Sequence, residues 1–324
     1  MLKDFLESPR KPTWIDADTH LSINEFPSEV TPEIFCAFVE EQADFKGEVQ
    51  RYGIFEYTSL GPWWLKTVTK ENRFVRMHLT LQKPDVTRYK MTLAYNGTRF
   101  EGFQRQTKSH RTVQHTVEQI LSHLFDCSIE IHPASRTDKG VHATGQVIHF
   151  DAPNRFTPEA LLTLVNRMCP EDCAVVSIER VPTVFHARFD VQSKRYVYRL
   201  RTVKDVALAH FVHVVNTLDI DTLDVRLKAF IGTHDFSQFA KTKDADSTLR
   251  TIEAAYCKVV DDGVDIIIQG QGFMRYMIRI MIGALLRYDT DTIQESLANP
   301  KVSIGKYKCP AHALTLEAID YGQA

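Results

Sequence analysis

The sequence predicts an α+β fold, and three observations carry that prediction. Short runs of alternating apolar residues and runs with helical spacing follow one another without the strict strand–helix alternation of a doubly wound sheet. No Gly-x-Gly-x-x-Gly follows a predicted strand, and no phosphate-binding P-loop is present, so nucleotide-cofactor folds gain no support. Of the 324 residues, 44% are apolar and 25% charged, which is ordinary globular composition with ample material for a core.

The regular pattern starts at Thr87. Tyr89, Met91, Leu93 and Tyr95 alternate with polar or small residues up to Asn96-Gly97, a strand and its turn. After Thr112, residues Val113, Val117, Ile120, Leu121 and Leu124 have helical spacing. Gln146–Phe150 reads as a strand, and Thr157-Pro158 opens a second helix, with Thr as cap and Pro in the first turn. Ala174–Val181 and Lys194–Arg201 read as strands. Asp221–Ile231 is a predicted helix stopped by Gly232. Asp262-Gly263 is a predicted hairpin turn between Tyr256–Val260 and Val264–Ile268. Phe273–Arg287 is predicted as an apolar helix.

Residues 1–86 differ in character. They hold all three Trp (Trp14, Trp63, Trp64) with Phe26, Phe35, Phe38, Phe45 and Phe55, an aromatic content that argues against a disordered tail. Thr31-Pro32 opens a predicted helix with Ile34, Phe35, Phe38 and Val39 on one face. The segment contains no repeat and no chemical motif.

Length and composition exclude several classes. The 14 Gly and 13 Pro rule out collagen-like and low-complexity chains. The longest apolar run near the C-terminus, Ile280 to Leu286, falls far short of the ~20 residues a membrane span needs. Lys3, Asp4 and Glu7 interrupt what would be a signal peptide's apolar region, and a cytoplasmic protein is expected. Six cysteines spread over the chain are too sparse for a disulfide scaffold. Cys169 and Cys173 lie close but lack a second ligand pair. His210 and His213 are expected on opposite faces of a strand, so no metal site is predicted.

Charge is unevenly placed. The first 50 residues hold eleven Asp/Glu against four Lys/Arg, a net of −7, which leaves +5 for the remaining 274. His186–Arg201 has five Lys/Arg against one Asp, and Gln271–Arg287 has three Arg and no acid. Phosphate backbones attract such stretches, and their interleaved Tyr and Phe can stack on unpaired bases.

The most informative stretch is Ala134–Phe150, ASRTDKGVHATGQVIHF, which packs Arg136, Thr137, Asp138, Lys139, Gly140 and His142 into a loop leading to a strand. Charge clusters on loops held by a sheet are where catalytic groups tend to sit. The stretch resembles the catalytic motif of the TruA-type tRNA pseudouridine synthases, typically GRTDxGVHAxGQVxHF. Six further blocks follow the same family in order. They are YNGTRFEGFQRQ (95–106), RTVQHTVEQIL (111–121), FHARFDVQSKRYVYRL (185–200), THDFSQFAK (233–241), GFMRYMIRIMIGALL (272–286) and CPAHALTLEAIDY (309–321). The resemblance spans 87–321, or 235 of 324 residues.

The resemblance implies two related subdomains, 87–185 with the catalytic loop and 186–324, sharing an antiparallel sheet with a central cleft, behind an N-terminal extension 1–86. It implies conversion of uridine to pseudouridine in the tRNA anticodon stem-loop, at positions 38 to 40, by a homodimer that needs no cofactor or metal. Asp138 matches the aspartate that attacks the target nucleotide while the base is detached, rotated and rejoined through carbon. A single carboxylate suffices, since no water has to be activated as in glycoside hydrolysis. Tyr196 matches the tyrosine that packs against the target base, and Arg279 the arginine that pairs with the aspartate. A guanidinium among Met277, Ile278, Ile280 and Met281 needs such a carboxylate partner. Arg136 matches the motif arginine, expected to bind phosphate or help flip the nucleotide. Arg105, Lys108, Arg111 and Lys139 are candidate contacts to the RNA backbone.

The chain departs from the family pattern at Phe103 (usually Trp), Ser135 (usually Gly) and Ala313 (commonly Gly). The net −7 of the first 50 residues should repel RNA, so residues 1–86 are expected to pack as a small accessory domain or to dock a protein partner through an apolar face, with a poorly ordered extension as the alternative. Two alternatives stand beside the main reading: a pseudouridine synthase retargeted to another RNA by residues 1–86, and a catalytically silent RNA-binding protein.

Overall fold

The structure, a computed structural model, describes residues 86–107, 109, 111–241 and 247–322, together with the backbone of four earlier strands. The chain divides into two compact units, Met1–Val86 and Thr87–Ala324.

In the first unit the four strands are β1 (Ser22–Ile23), β2 (Gly47–Gln50), β3 (Trp63–Thr69) and β4 (Phe74–Leu81), in the order β1-β4-β3-β2. β4 pairs antiparallel with β3 and β3 with β2, while β1 runs parallel to β4. Sequence patterning gave no sign of this sheet. The helix expected after Thr31 lies outside the described residues.

The second unit is one large mixed sheet. Its strands are β5 (Val86–Tyr95), β6 (His132–Pro133), β7 (His142–Pro153), β8 (Cys173–Val181), β9 (Ser193–Arg201), β10 (His213–Val214), β11 (Gly232–Asp235), β12 (Leu249–Val260), β13 (Gly263–Gly270) and β14 (Leu314–Asp320). The path runs β11-β12-β13-β9-β14-β7-β5-β8, with β6 on β7 and β10 on β9. Within that path the described registers of β11, β12, β13, β9 and β14 are antiparallel, as is that of β5 with β8. β7 and β14 run parallel, Thr315 against His142. At that seam the motif strand meets the C-terminal strand.

Five helices pack on this sheet: α1 (Val113–Phe125), α2 (Pro158–Met168), α3 (Ile220–Lys228), α4 (Met277–Leu285) and α5 (Thr290–Ala298). The caps expected at Thr112 and Thr157 are in place. The Thr112 side chain accepts from His115 N, and Thr157 accepts from Ala160 N with Pro158 in the first turn. α1 buries Val113, Val117, Ile120, Leu121 and Phe125 in a single core with Tyr89, Met91, Leu93, Ile148, Phe150 and Leu200. Each such side chain contributes ~1.5–3 kcal/mol.

Several boundaries differ from the sequence expectation. α3 starts after Asp219, whose side chain accepts from Thr222 N, and ends at Lys228, beyond which i→i+3 bonds from Ala229, Phe230 and Ile231 carry the chain to Gly232. The hairpin turn is Asp261-Asp262, since Gly263 already pairs with Val260 in β13. Gly263 is needed there for proximity rather than for turning: a Cβ would lie 2.1 Å from Leu200 O on the neighbouring strand. α4 is shorter than the apolar run because Tyr276, with φ 64, is left-handed and cannot continue a right-handed helix. His210 lies in a turn before β10, and only His213 is on a strand. Among the described residues no helix is long and apolar enough to cross a membrane, and no group of His, Cys, Asp or Glu is placed to hold a metal ion.

Candidate active site

The loop between β6 and β7 is tethered residue by residue. Lys194 Nζ on β9 donates to Ala134 O at 2.8 Å. Gln146 on β7 clasps the Ser135 backbone, its Oε1 accepting from Ser135 N at 3.2 Å and its Nε2 donating to Ser135 O at 2.7 Å. The Ser135 hydroxyl meets the Tyr196 hydroxyl at 2.8 Å. The hydroxyls of Thr137 and Tyr95 are 2.7 Å apart, both buried, while Thr137 O accepts from Phe103 N at 3.1 Å. A turn closes the loop, with Val141 N donating to Asp138 O at 3.1 Å. Gly140 has φ +79 in that turn, the value a type II turn requires at its third residue.

This bracing leaves Asp138 facing Arg279, whose Nη1 is 3.4 Å from Asp138 Oδ2, with side chains 9% and 21% exposed respectively. Arg279 projects from α4 and is held independently, since its Nε donates to Cys309 O at 2.7 Å while Cys309 N donates back to Arg279 O at 3.1 Å. Burial pushes the Asp138 carboxyl above its ordinary value, and the charges of Arg279, Arg275 and Lys308 pull the other way. Tyr196 on β9 is buried, its ring edge-on to Phe273 at 5.2 Å. Burial pushes its hydroxyl up to about 12, helped by the nearby Asp138 charge, so the phenol is neutral.

Asp138, Tyr196 and Arg279, far apart in sequence, are thus brought together. Arg136 is exposed on the same loop, and its side chain makes no ion pair among the described residues. The remaining candidates are engaged elsewhere. Lys139 Nζ lies 2.7 Å from Glu101 Oε1, Arg105 Nη1 3.1 Å from the buried Glu118 Oε2, and Arg111 Nη2 2.7 Å from the buried Asp172 Oδ2. Lys108 lies outside the described residues.

His142 does not touch the carboxylate. Its Nδ1 accepts from Gly97 N at 3.0 Å, so the proton sits on Nε2, which is 2.8 Å from both His210 O and His312 O. It pins three distant segments together as a neutral ring, burial holding its pKa down. Sequence reasoning missed Gln146, Thr137, Tyr95 and Lys194 as braces, and missed Arg275 and Lys308 as charges near Asp138. Arg275 stood in a cation-rich stretch that signalled it. Lys308 carried no signal.

A mixed sheet thus holds one tethered aspartate against a buried arginine, with a buried tyrosine nearby. The family model for tRNA pseudouridine synthase matches residues 91–190 and 227–322. Tyr196, on β9, falls between those two matched stretches. The chain is 37% identical over 256 residues to tRNA pseudouridine synthase A of Leuconostoc citreum, covering 74% of this chain and 98% of that one. It is 35% identical over 248 residues to the protein of that name from Shouchella clausii, covering 74% and 95%. The chain belongs to the tRNA pseudouridine synthase family.

Proposed function

We propose that this protein isomerises uridine to pseudouridine in the anticodon stem-loop of tRNA, at positions 38 to 40. The observation that carries the reading is Asp138, fixed on a braced loop with its charge met by Arg279. An Asp138 oxygen attacks the target nucleotide as the N–C glycosidic bond breaks. The uracil then turns and a ring carbon bonds to the sugar as the bond to Asp138 breaks; that carbon gives up its proton and the freed ring nitrogen ends protonated, so no atom is gained or lost. Arg279 keeps the carboxylate ionised in a partly desolvated place and offsets charge as the bond order changes. Tyr196 lies against the base as a neutral aromatic surface for a nucleotide taken out of its stack.

Arg136, exposed and without a carboxylate partner among the described residues, contacts phosphate or helps turn the nucleotide out. Lys139, Arg105 and Arg111 reach the RNA backbone by exchanging a carboxylate for a phosphate. Lys108 belongs to the same group. Residues 87–185 and 186–324 act as two related subdomains on either side of the β7–β14 seam. The protein works in the cytoplasm as a homodimer with tRNA touching both subunits. Residues 1–86 form an accessory unit that docks a protein partner.

Mapping pseudouridines in tRNA from cells with and without the protein tests this. The expected result is loss confined to positions 38 to 40. Loss in another RNA with those positions intact supports the retargeted alternative instead.

A further inference from the structure

Two non-glycine residues have positive φ among those described, Asp126 and Tyr276. Asp126 caps α1, a place where a short polar side chain adopts this conformation readily. Tyr276 has no such reason. Bulky residues avoid the left-handed region, and strained backbone of this kind concentrates at functional sites.

What a tyrosine brings to that position is its ring. Lys308 Nζ lies 4.1 Å from the ring centroid, Arg275 Cζ 4.9 Å and Arg279 Cζ 5.7 Å. Three cations therefore lie around one aromatic ring. Arg279 is committed to Asp138 and Cys309. Arg275 and Lys308 are exposed, and neither has a carboxylate partner among the described residues. They differ in this from Lys139, Arg105 and Arg111, each already neutralised. Two unneutralised cations gathered beside a carboxylate repel one another until an anion arrives. The ring attracts both without supplying a negative charge that an incoming phosphate would have to displace.

We propose that Tyr276 is the platform of an anion subsite in which Arg275 and Lys308 bind the RNA phosphodiester adjoining the nucleotide that Asp138 attacks. This rests on the reading of Asp138 as the nucleophile. The left-handed turn at Tyr276 presents the ring and the two cations at the start of α4, one turn from Arg279. The phosphate is held by the same element that holds the carboxylate's partner.

The test uses the full-length protein and a uridine-containing anticodon stem-loop RNA, with binding measured across a salt series and initial rates across an RNA concentration series. Arg275→Gln combined with Lys308→Gln, both at exposed positions, should lower the slope of log affinity against log salt by about 2, one per cation. KM should rise at least tenfold while kcat stays within about threefold. Tyr276→Phe keeps the ring and should behave as wild type. Tyr276→Gly keeps the backbone and removes the ring, and should reproduce the double variant without a lower unfolding temperature. An unchanged salt slope and KM in the double variant overturn the subsite. Full activity in Asp138→Asn would instead overturn the reading on which it rests, so the two failures are distinguishable.

Discussion

Arg279 Nη1 stands 3.4 Å from Asp138 Oδ2 across 141 residues of sequence, and the same guanidinium is tied through Nε to Cys309 O. One buried cation therefore joins the loop between β6 and β7, helix α4 and the segment leading into the C-terminal strand. Its position does not depend on Asp138. The carboxylate meets a charge already fixed in place.

Arg279→Met removes that charge and leaves Cys309 O without its donor. Removing one partner from a fully buried pair costs about 3–5 kcal/mol, and Asp138, 21% exposed, recovers part of that from water. The rate should fall at least a hundredfold. Burial already raises the Asp138 carboxyl, and the proposed attack needs it ionised, so activity should rise with pH through that titration. Without Arg279 the acid limb of the pH–rate profile should move to higher pH. An unmoved limb with a rate within tenfold of wild type contradicts the pairing.

Tyr196→Phe keeps the ring and loses only the contact with Ser135, a change of about 0.5–1.5 kcal/mol. Activity should stay within tenfold. Tyr196→Ala empties a buried site, and large aromatic truncations of this kind cost about 3–5 kcal/mol. Denaturant unfolding and pseudouridine assays on both variants separate the packing role from the aromatic one. Equal activity in the two would remove Tyr196 from the site.

A histidine cluster away from Asp138 should govern acid stability. His149 stacks on His132 at 4.8 Å and packs against His186 at 4.6 Å, and its Nδ1 accepts from Ala187 N. Burial and the neighbouring charges, which include Arg88, depress His149 to about 2 and His186 to about 4. Below pH ~6.5 the unfolded chain binds protons on these rings that the folded chain refuses, so stability falls as pH falls. The buried His149 ring contributes about 1.4 kcal/mol per pH unit between its unfolded and folded values, and the half-buried His186 ring less because solvent screens it. Unfolding temperatures at pH 7, 6 and 5 should drop progressively, and less steeply in His149→Gln. A flat profile in wild type would refute the assignment.

A chain beginning at Thr87 should fold and modify the stem-loop. The core that includes Tyr89, Phe150, Leu200 and Leu316 lies wholly after that point, as do Asp138, Tyr196 and Arg279. Circular dichroism and a pseudouridine assay on the shortened protein check this. A well-folded but inactive product would mean that residues 1–86 help form the substrate site.

The elements of the second unit were legible where local chemistry sets them. Thr112 and Thr157 announce their helices by capping, and the alternation from Tyr89 to Tyr95 announces β5. What could not be read was decided by tertiary contact. Gly263 looked like a turn residue but is a strand residue under the backbone of Leu200. The run from Phe273 looked helical throughout because apolar spacing does not reveal a left-handed break at Tyr276. In the site, Asp138 and Arg279 were legible through family resemblance and through the cost of burying a lone guanidinium. The braces were not, because Gln146 and Lys194 read as ordinary strand residues. Lys308 was invisible because its place beside Asp138 is set by a loop without pattern.

Asp138 is the proposed attacking group. Asp138→Asn keeps the shape and loses the anionic oxygen. The decisive measurement is pseudouridine formed in an anticodon stem-loop by the purified variant, beside its affinity for the same RNA. No detectable product with affinity retained is the result predicted. Product formed within tenfold of the wild-type rate would contradict it.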